Sequence, residues 1–169
     1  MIKVEESGMT FGPFHEDQFF HIEKSVIYGE IQNQVKMVEF VLLKQNRDFG
    51  QIWLVEAKQS SPHPGNLEDW EAYLGELKEK FENGLCLFIA LCLKRHIDQD
   101  FHEPMRTVNL KKIQFKITLV IKDHKIEWLP PLKDAIQQKL LPFCRSFNLK
   151  FNPVLVLNDQ MAREKGLIT

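Results

Sequence analysis

Cysteine is scarce in this sequence. Cys86, Cys92 and Cys144 are the only three in 169 residues, and no two of them form a CxxC pair. Each sits in apolar or amphipathic surroundings, which predicts buried free thiols in a reducing compartment and no disulfide framework. The six histidines are His15, His21, His63, His96, His102 and His124, and none is spaced as HxxxH or HxH from another. A sequence-local zinc motif is thereby excluded. There is no Gly-rich phosphate loop, which argues against a nucleotide-hydrolysing motor. No GxSxG-like or Cys/His frame supports acyl transfer. An excess of one charge is also missing. Lys and Arg number 22, Asp and Glu number 23, and the net charge is -1. Overall charge therefore gives no drive towards polyanions, and any nucleic-acid surface must be a local patch. The longest apolar run, "LCLFIALCL" from Leu85 to Leu93, is too short to span a bilayer. "MIKVEESGMT" at the start lacks the apolar stretch of a signal peptide. A cytoplasmic location with no membrane partner is expected. No internal repeat or low-complexity segment occurs.

What is present is an ordinary globular composition, 44% apolar and 27% charged. A chain of this length buries about two-thirds of its unfolded surface and needs no disulfides to hold a core. One domain spanning 1–169 is expected, with 1–13 as a tail or loosely packed lead-in. "HEDQFFHIEK" reads as a short helix, with Phe19, Ile22 and Glu23 at helical spacing, and "SVIYGEIQ" as a first strand. "VKMVEFVLLK" and "QIWLVEAK" are rich in β-branched and aromatic residues. The intervening "QNRDFG" joins them as a hairpin. "SSPHPGN" is a loop. Asn66 caps a helix in which Leu67, Trp70, Leu74, Leu77 and Phe81 recur at helical spacing and charges fill the gaps. That helix runs continuously, or with a brief break at Asn83-Gly84, into the apolar stretch. After a polar connection, "FKITLVIKD" is a strand. "LPPLKDAIQQKLLPFCRSF" is a helix with Pro near its start and Pro142 inside it. "PVLVLND" is a last strand and "QMAREKGL" a terminal helical turn. The fold class is α/β: a mixed central sheet with helices on both faces.

Side chains alternate across a strand, so Ile52, Leu54, Glu56 and Lys58 share one face and Trp53, Val55 and Ala57 the other. Both faces are apolar until the charges arrive, which makes this strand central. If the hairpin loop is even and symmetric, Lys44 lies opposite Gln51 and Glu39 opposite Glu56. Directly opposed Cβ atoms lie about 4.5–5.5 Å apart, where like charges repel unless compensated. Lys58 can compensate. So can a divalent cation between the carboxylates, for which oxygen ligands suit Mg²⁺ or Mn²⁺. The plainer alternative is an ion pair of Glu56 with Lys58 or Lys44 at a strand end.

An acid in one strand, then E-x-K at the end of the next, then a helix, resembles the PD-(D/E)xK, or restriction-endonuclease-like, superfamily. The likeness spans Phe19 to Leu157 and implies an αβββαβ core with a C-terminal αβ extension. It also implies that Glu39 and Glu56 are metal-binding acids, that the Ala57 backbone carbonyl is a further ligand, and that Lys58 is the catalytic lysine. Glu23 would be the extra acid that some members carry on the first helix. The first acid is Glu where Asp is commoner, and Met37-Val38 stands in place of the motif's proline. No QxxxY element follows, so the exonuclease branch with that signature is not supported.

Other polar residues have simpler roles. Gln59, Ser60 and Ser61 fit a turn. Lys94, Arg95, His96, Lys111, Lys112 and Lys116 fit a solvated face balanced by Asp98, Asp100 and Glu103. Lys122, His124 and Lys125 fall in a turn after a strand. The resemblance implies a Mg²⁺- or Mn²⁺-dependent nuclease acting on nucleic acid, DNA before RNA, alone, as a homodimer or with a partner protein. The alternative is a catalytically inactive nuclease-fold subunit of a larger assembly, motivated by the near-neutral charge.

Overall fold

The computed structural model describes residues 1–45, 50–150 and 152–169. The chain opens with a hairpin of β1 (Ile2–Glu6) and β2 (Met9–Phe14), turned through Ser7 and Gly8. β3 (Phe19–Phe20) lies between two 3-10 turns, Glu16–Gln18 and Ile22–Lys24, and is followed by α1 (Val26–Ile31). Next come β4 (Phe40–Gln45), β5 (Gly50–Lys58), the long α2 (Leu67–Cys92) and the single turn α3 (Glu103–Arg106). The chain ends with β6 (Gln114–Ile121), α4 (Leu129–Ser146), β7 (Val154–Asn158) and α5 (Asp159–Glu164).

The main sheet has five strands in the order β3-β4-β5-β6-β7. β3, β4 and β5 are antiparallel neighbours, whereas β5, β6 and β7 run parallel. The fold is therefore a mixed α/β sheet with flanking helices, and β5 lies at its centre as its two apolar faces predicted. Ile52 and Leu54 enter one core with α2 and α4, while Trp53, Val55 and Ala57 enter the other. Helices were expected on both faces, but the two long ones share one. Both parallel crossovers step the same way across the sheet, and with the same hand they stack their helices on one side. The opposite face is covered by the β1–β2 hairpin and the short α5, through Phe11, Phe14 and Ala162.

Residues 1–13 are not a tail: Met9 and Phe11 are buried and pack on Phe40 and Val55. The stretch expected as a short helix contains β3, because Phe19 and Phe20 point to opposite cores and pair with Leu42 and Val41. Adjacent residues on opposite faces is strand behaviour. The expected first strand, Val26–Ile31, is α1. The Ser25 hydroxyl accepts from the Tyr28 N–H at 3.1 Å, and this N-cap outweighs a loose β alternation. The polar connection also contributes to the core, through Phe101 and Met105.

The β4–β5 pairing runs from Phe40 opposite Val55 to Gln45 opposite Gly50, with Lys44 opposite Gln51 as the count predicts. The turn residues 46–49 lie outside the described residues. α2 is continuous through Asn83-Gly84. A Cβ on Gly84 would stand 2.9 Å from Val38 Cγ2, so glycine lets the helix approach the segment leading into β4. Asn83 Nδ2 donates to the Lys36 carbonyl at 2.9 Å and pins the same contact. Among the described residues no helix is long and apolar enough to cross a membrane.

Candidate metal centre

Glu39 stands immediately before β4, one residue beyond the Phe40–Val55 pair, and Glu56 follows Val55 on β5, so the two acids lie next to each other at the end of the ladder and feel each other's charge. Both side chains are buried: Glu39 is 8% exposed and Glu56 fully enclosed. β5 carries Glu56 and Lys58 on the face that meets α2. α2 answers with Tyr73, Glu76 and Lys80, which share one stripe by the three-and-four spacing of a helix. Lys80 Nζ lies 2.8 Å from Glu56 Oε1, and Lys58 Nζ lies 3.2 Å from the same oxygen. Lys58 also reaches Glu76 Oε1 at 2.7 Å, and Lys80 lies 3.9 Å from Glu23 Oε1. The Glu23 N–H donates to the Glu39 carbonyl at 3.3 Å, which holds the two acids side by side. The structure thus brings Glu23, Glu39, Glu56 and Lys58 into one cluster. Glu23 arrives on a 3-10 turn after β3, not on a helix before it.

Lys80, Glu76 and Tyr73 are absent from the sequence reading. Their helical spacing is visible in the sequence, but there they look like charges on a wet face. Lys44, the other candidate ion-pair partner of Glu56, points to the opposite face. Its Nζ sits 4.3 Å above the Trp53 ring and donates to the Lys165 carbonyl at 2.6 Å.

Burial, the hydrogen bond to Glu23 and the Glu56 charge push the Glu39 carboxyl up to about 9, against the pull of Lys80. Metal-free Glu39 therefore favours its protonated form at neutral pH. Burial also raises Glu56, while Lys80 and Lys58 oppose it. For Lys58, burial acts to lower the pKa, but Glu56 and Glu76 outweigh it and the net shift is upward. That shift favours the ammonium form of Lys58, a donor and a positive charge.

Among the described residues, Glu39 Oε2, Glu56 Oε2 and the Tyr73 hydroxyl are buried with no hydrogen-bond partner. Such groups are costly and rare. Each acid thus offers one unpartnered carboxylate oxygen, the ligand type that suits Mg²⁺ or Mn²⁺. The Ala57 carbonyl, expected as a further ligand, already accepts the Ser7 hydroxyl at 2.9 Å. That bond comes from the turn of the N-terminal hairpin, where a tail or loosely packed lead-in was expected.

The basic residues divide by position. Lys111, Lys112 and Lys116 lie at the start of β6, beside the Gln51 end of β5 and far from Lys58. Lys122, His124 and Lys125 follow β6 at the Lys58 end, where the Lys122 N–H donates to the Lys58 carbonyl at 3.0 Å. The half-exposed Trp128 follows them, with Lys125 Nζ 4.7 Å above its ring.

The protonated Glu39 has a measurable consequence. A carboxyl whose folded pKa lies above its ordinary 4.5 contributes stability that is complete below 4.5 and is lost as pH rises towards about 9. Metal-free protein is expected to weaken between about pH 6.5 and pH 8, with Glu39 contributing up to about 1.4 kcal/mol per pH unit; below that window His21 and His124, which burial lowers from 6.5, act in the opposite sense. The window stops at about pH 8 because Lys44, which burial lowers to about 8, begins to act in the opposite sense. Urea unfolding in chelator should show this slope, and Glu39→Gln should flatten it. An unchanged slope in Glu39→Gln would assign the titration elsewhere.

Compared with protein-family models, with curated proteins and with solved structures, the chain gives no significant match.

Proposed function

We propose that this protein is a divalent-metal-dependent nuclease of the PD-(D/E)xK, restriction-endonuclease-like type, with DNA as the favoured substrate. One observation carries the proposal: the neighbouring buried acids Glu39 and Glu56, each with an unpartnered oxygen, and Lys58 two residues beyond Glu56 on the same strand face. The order β3-β4-β5-α2-β6, followed by α4 and β7, supports a βββαβ core with an αβ extension. The helix expected ahead of the first strand is a single 3-10 turn, Glu16–Gln18.

In this reading Glu39 and Glu56, with Glu23 beside them, would hold Mg²⁺ or Mn²⁺. The ion would supply Lewis acidity and an activated water for phosphodiester hydrolysis. Lys58 stabilises the charge that develops on the phosphate, from a position fixed by Glu56 and Glu76. Glu39 must release its proton to become a ligand, so cation affinity rises with pH. Lys122, Lys125 and Trp128, at the same end of the sheet, suit a phosphate backbone and a stacked base.

A second reading is favoured by Lys80. Its ammonium neutralises Glu56 from within the fold at 2.8 Å, which is what an inactive nuclease-fold assembly subunit would need. Incubating the purified chain with supercoiled plasmid and single-stranded DNA separates the two. The nuclease should cut with Mn²⁺ and stop with chelator. No cutting, together with no heat of Mn²⁺ binding by calorimetry, would favour the assembly subunit.

A further inference from the structure

Glu39 also belongs to a second set of donors. One ligand atom each from Glu6, His21 and Glu39 lie within 4.8 Å of one another. The three come from separate segments: Glu6 ends β1, His21 follows β3, and Glu39 precedes β4. Lys24 Nζ, 2.6 Å from Glu6 Oε1, accounts for Glu6 as an ion pair. It does not account for the other two. Glu39 is 8% exposed and its Oε2 has no hydrogen-bond partner among the described residues. His21 Nε2 is also buried without one: it lies 3.2 Å from Glu6 Oε1 but out of hydrogen-bonding geometry. The Phe19 ring packs edge-on to the imidazole, with centroids 5.8 Å apart, and holds its orientation.

We infer that Glu6, His21 and Glu39 form a binding site for a borderline divalent cation, Mn²⁺ or Zn²⁺, beside the Glu39–Glu56 pair, with Glu39 as the carboxylate common to both. Carboxylates alone suit Mg²⁺, whereas an imidazole nitrogen shifts the preference towards transition metals. Three protein donors leave coordination positions for water or a phosphate oxygen. Burial, then the Lys24 charge, keeps the His21 ring below its ordinary pKa, so it is neutral and has a lone pair to give. The Lys24 side chain is 61% exposed and can swing into solvent when a cation takes Glu6. What a second ion would do in cleavage rests on the nuclease proposal. Its coordination chemistry does not.

The test is pulsed electron paramagnetic resonance of the full, tag-free chain loaded with Mn²⁺, read for coupling to a ¹⁴N nucleus. The expected result is nitrogen coupling in the natural protein that disappears in His21→Gln and persists in Glu56→Gln. Mn²⁺ affinity at this site should fall in His21→Gln by at least the roughly ten- to hundredfold that losing a ligand's supporting partner costs. Lys24→Met removes the competing ammonium group and should tighten Mn²⁺ several-fold, a gain that no folding defect produces. Absence of nitrogen coupling in the natural protein, coupling that survives in His21→Gln, or unchanged affinity in Lys24→Met overturns the site. A protein that cuts DNA without nitrogen coupling keeps the nuclease proposal and loses this site. Nitrogen coupling in a protein that cuts nothing does the reverse.

Discussion

Lys58→Ala is expected to abolish Mn²⁺-dependent cleavage while leaving cation binding in place. Lys58 is 23% exposed and held between Glu56 and Glu76, so its ammonium group is aimed before substrate arrives. Removing one such preorganised charge from a reaction centre costs roughly 10²- to 10³-fold in rate. The fold should survive, because Glu56 keeps Lys80 at 2.8 Å. Calorimetry on the variant should still register Mn²⁺, since the carboxylates are untouched and a repelling cation is gone. Glu56→Gln should lose both cleavage and the ion of the Glu39–Glu56 pair. Rates within tenfold of the natural protein in Lys58→Ala would remove this lysine from the chemistry. Cleavage that survives both the variant and chelator would identify a contaminating nuclease.

The second large effect concerns Lys80. Glu56 is fully buried, and Lys80 is its nearest cation. Removing one partner of a buried ion pair leaves an uncompensated charge and costs about 3–5 kcal/mol. Lys80→Met should lie near the lower end of that range, because Lys58 remains 3.2 Å from Glu56 Oε1. The loss should shrink at acid pH, where Glu56 takes up a proton that burial already favours. In the nuclease reading, Mn²⁺ takes over the lysine's role. At a hundredfold excess over its dissociation constant it restores about 2.7 kcal/mol. Urea unfolding with and without Mn²⁺ reads this directly. Destabilisation that Mn²⁺ leaves unrepaired would make Lys80 the only cation the site was built for, which is the assembly-subunit reading.

Much of the candidate site was legible in the sequence because strand geometry is a short-range rule. Period two places Ile52, Leu54, Glu56 and Lys58 on one face whatever the rest of the chain does. The hairpin count needs only the loop length, and it puts Lys44 opposite Gln51 as observed. The acid pair follows from those two rules. The first 31 residues were harder, because their signals are weak and compete. Ser25 caps a helix where a loose alternation suggested a strand, and Phe19-Phe20 is too short a strand to show a period.

The sequence by itself determined the central strand, its neighbour and their register as far as Phe40 opposite Val55, which leaves Glu39 and Glu56 next in line with Lys58 beyond. Only the tertiary structure decided what surrounds that pair. Helical spacing says that Tyr73, Glu76 and Lys80 share a stripe, but not whether the stripe meets water or a buried acid. The close contact of Gly84 with Val38 sets that, by fixing how α2 sits on the sheet. In the same way, nothing local announces that the N-terminal hairpin folds over the sheet and brings Ser7 to the Ala57 carbonyl and Glu6 to His21. Contacts between residues far apart in the chain depend on how whole elements pack, and an acid's charge state depends on what they enclose.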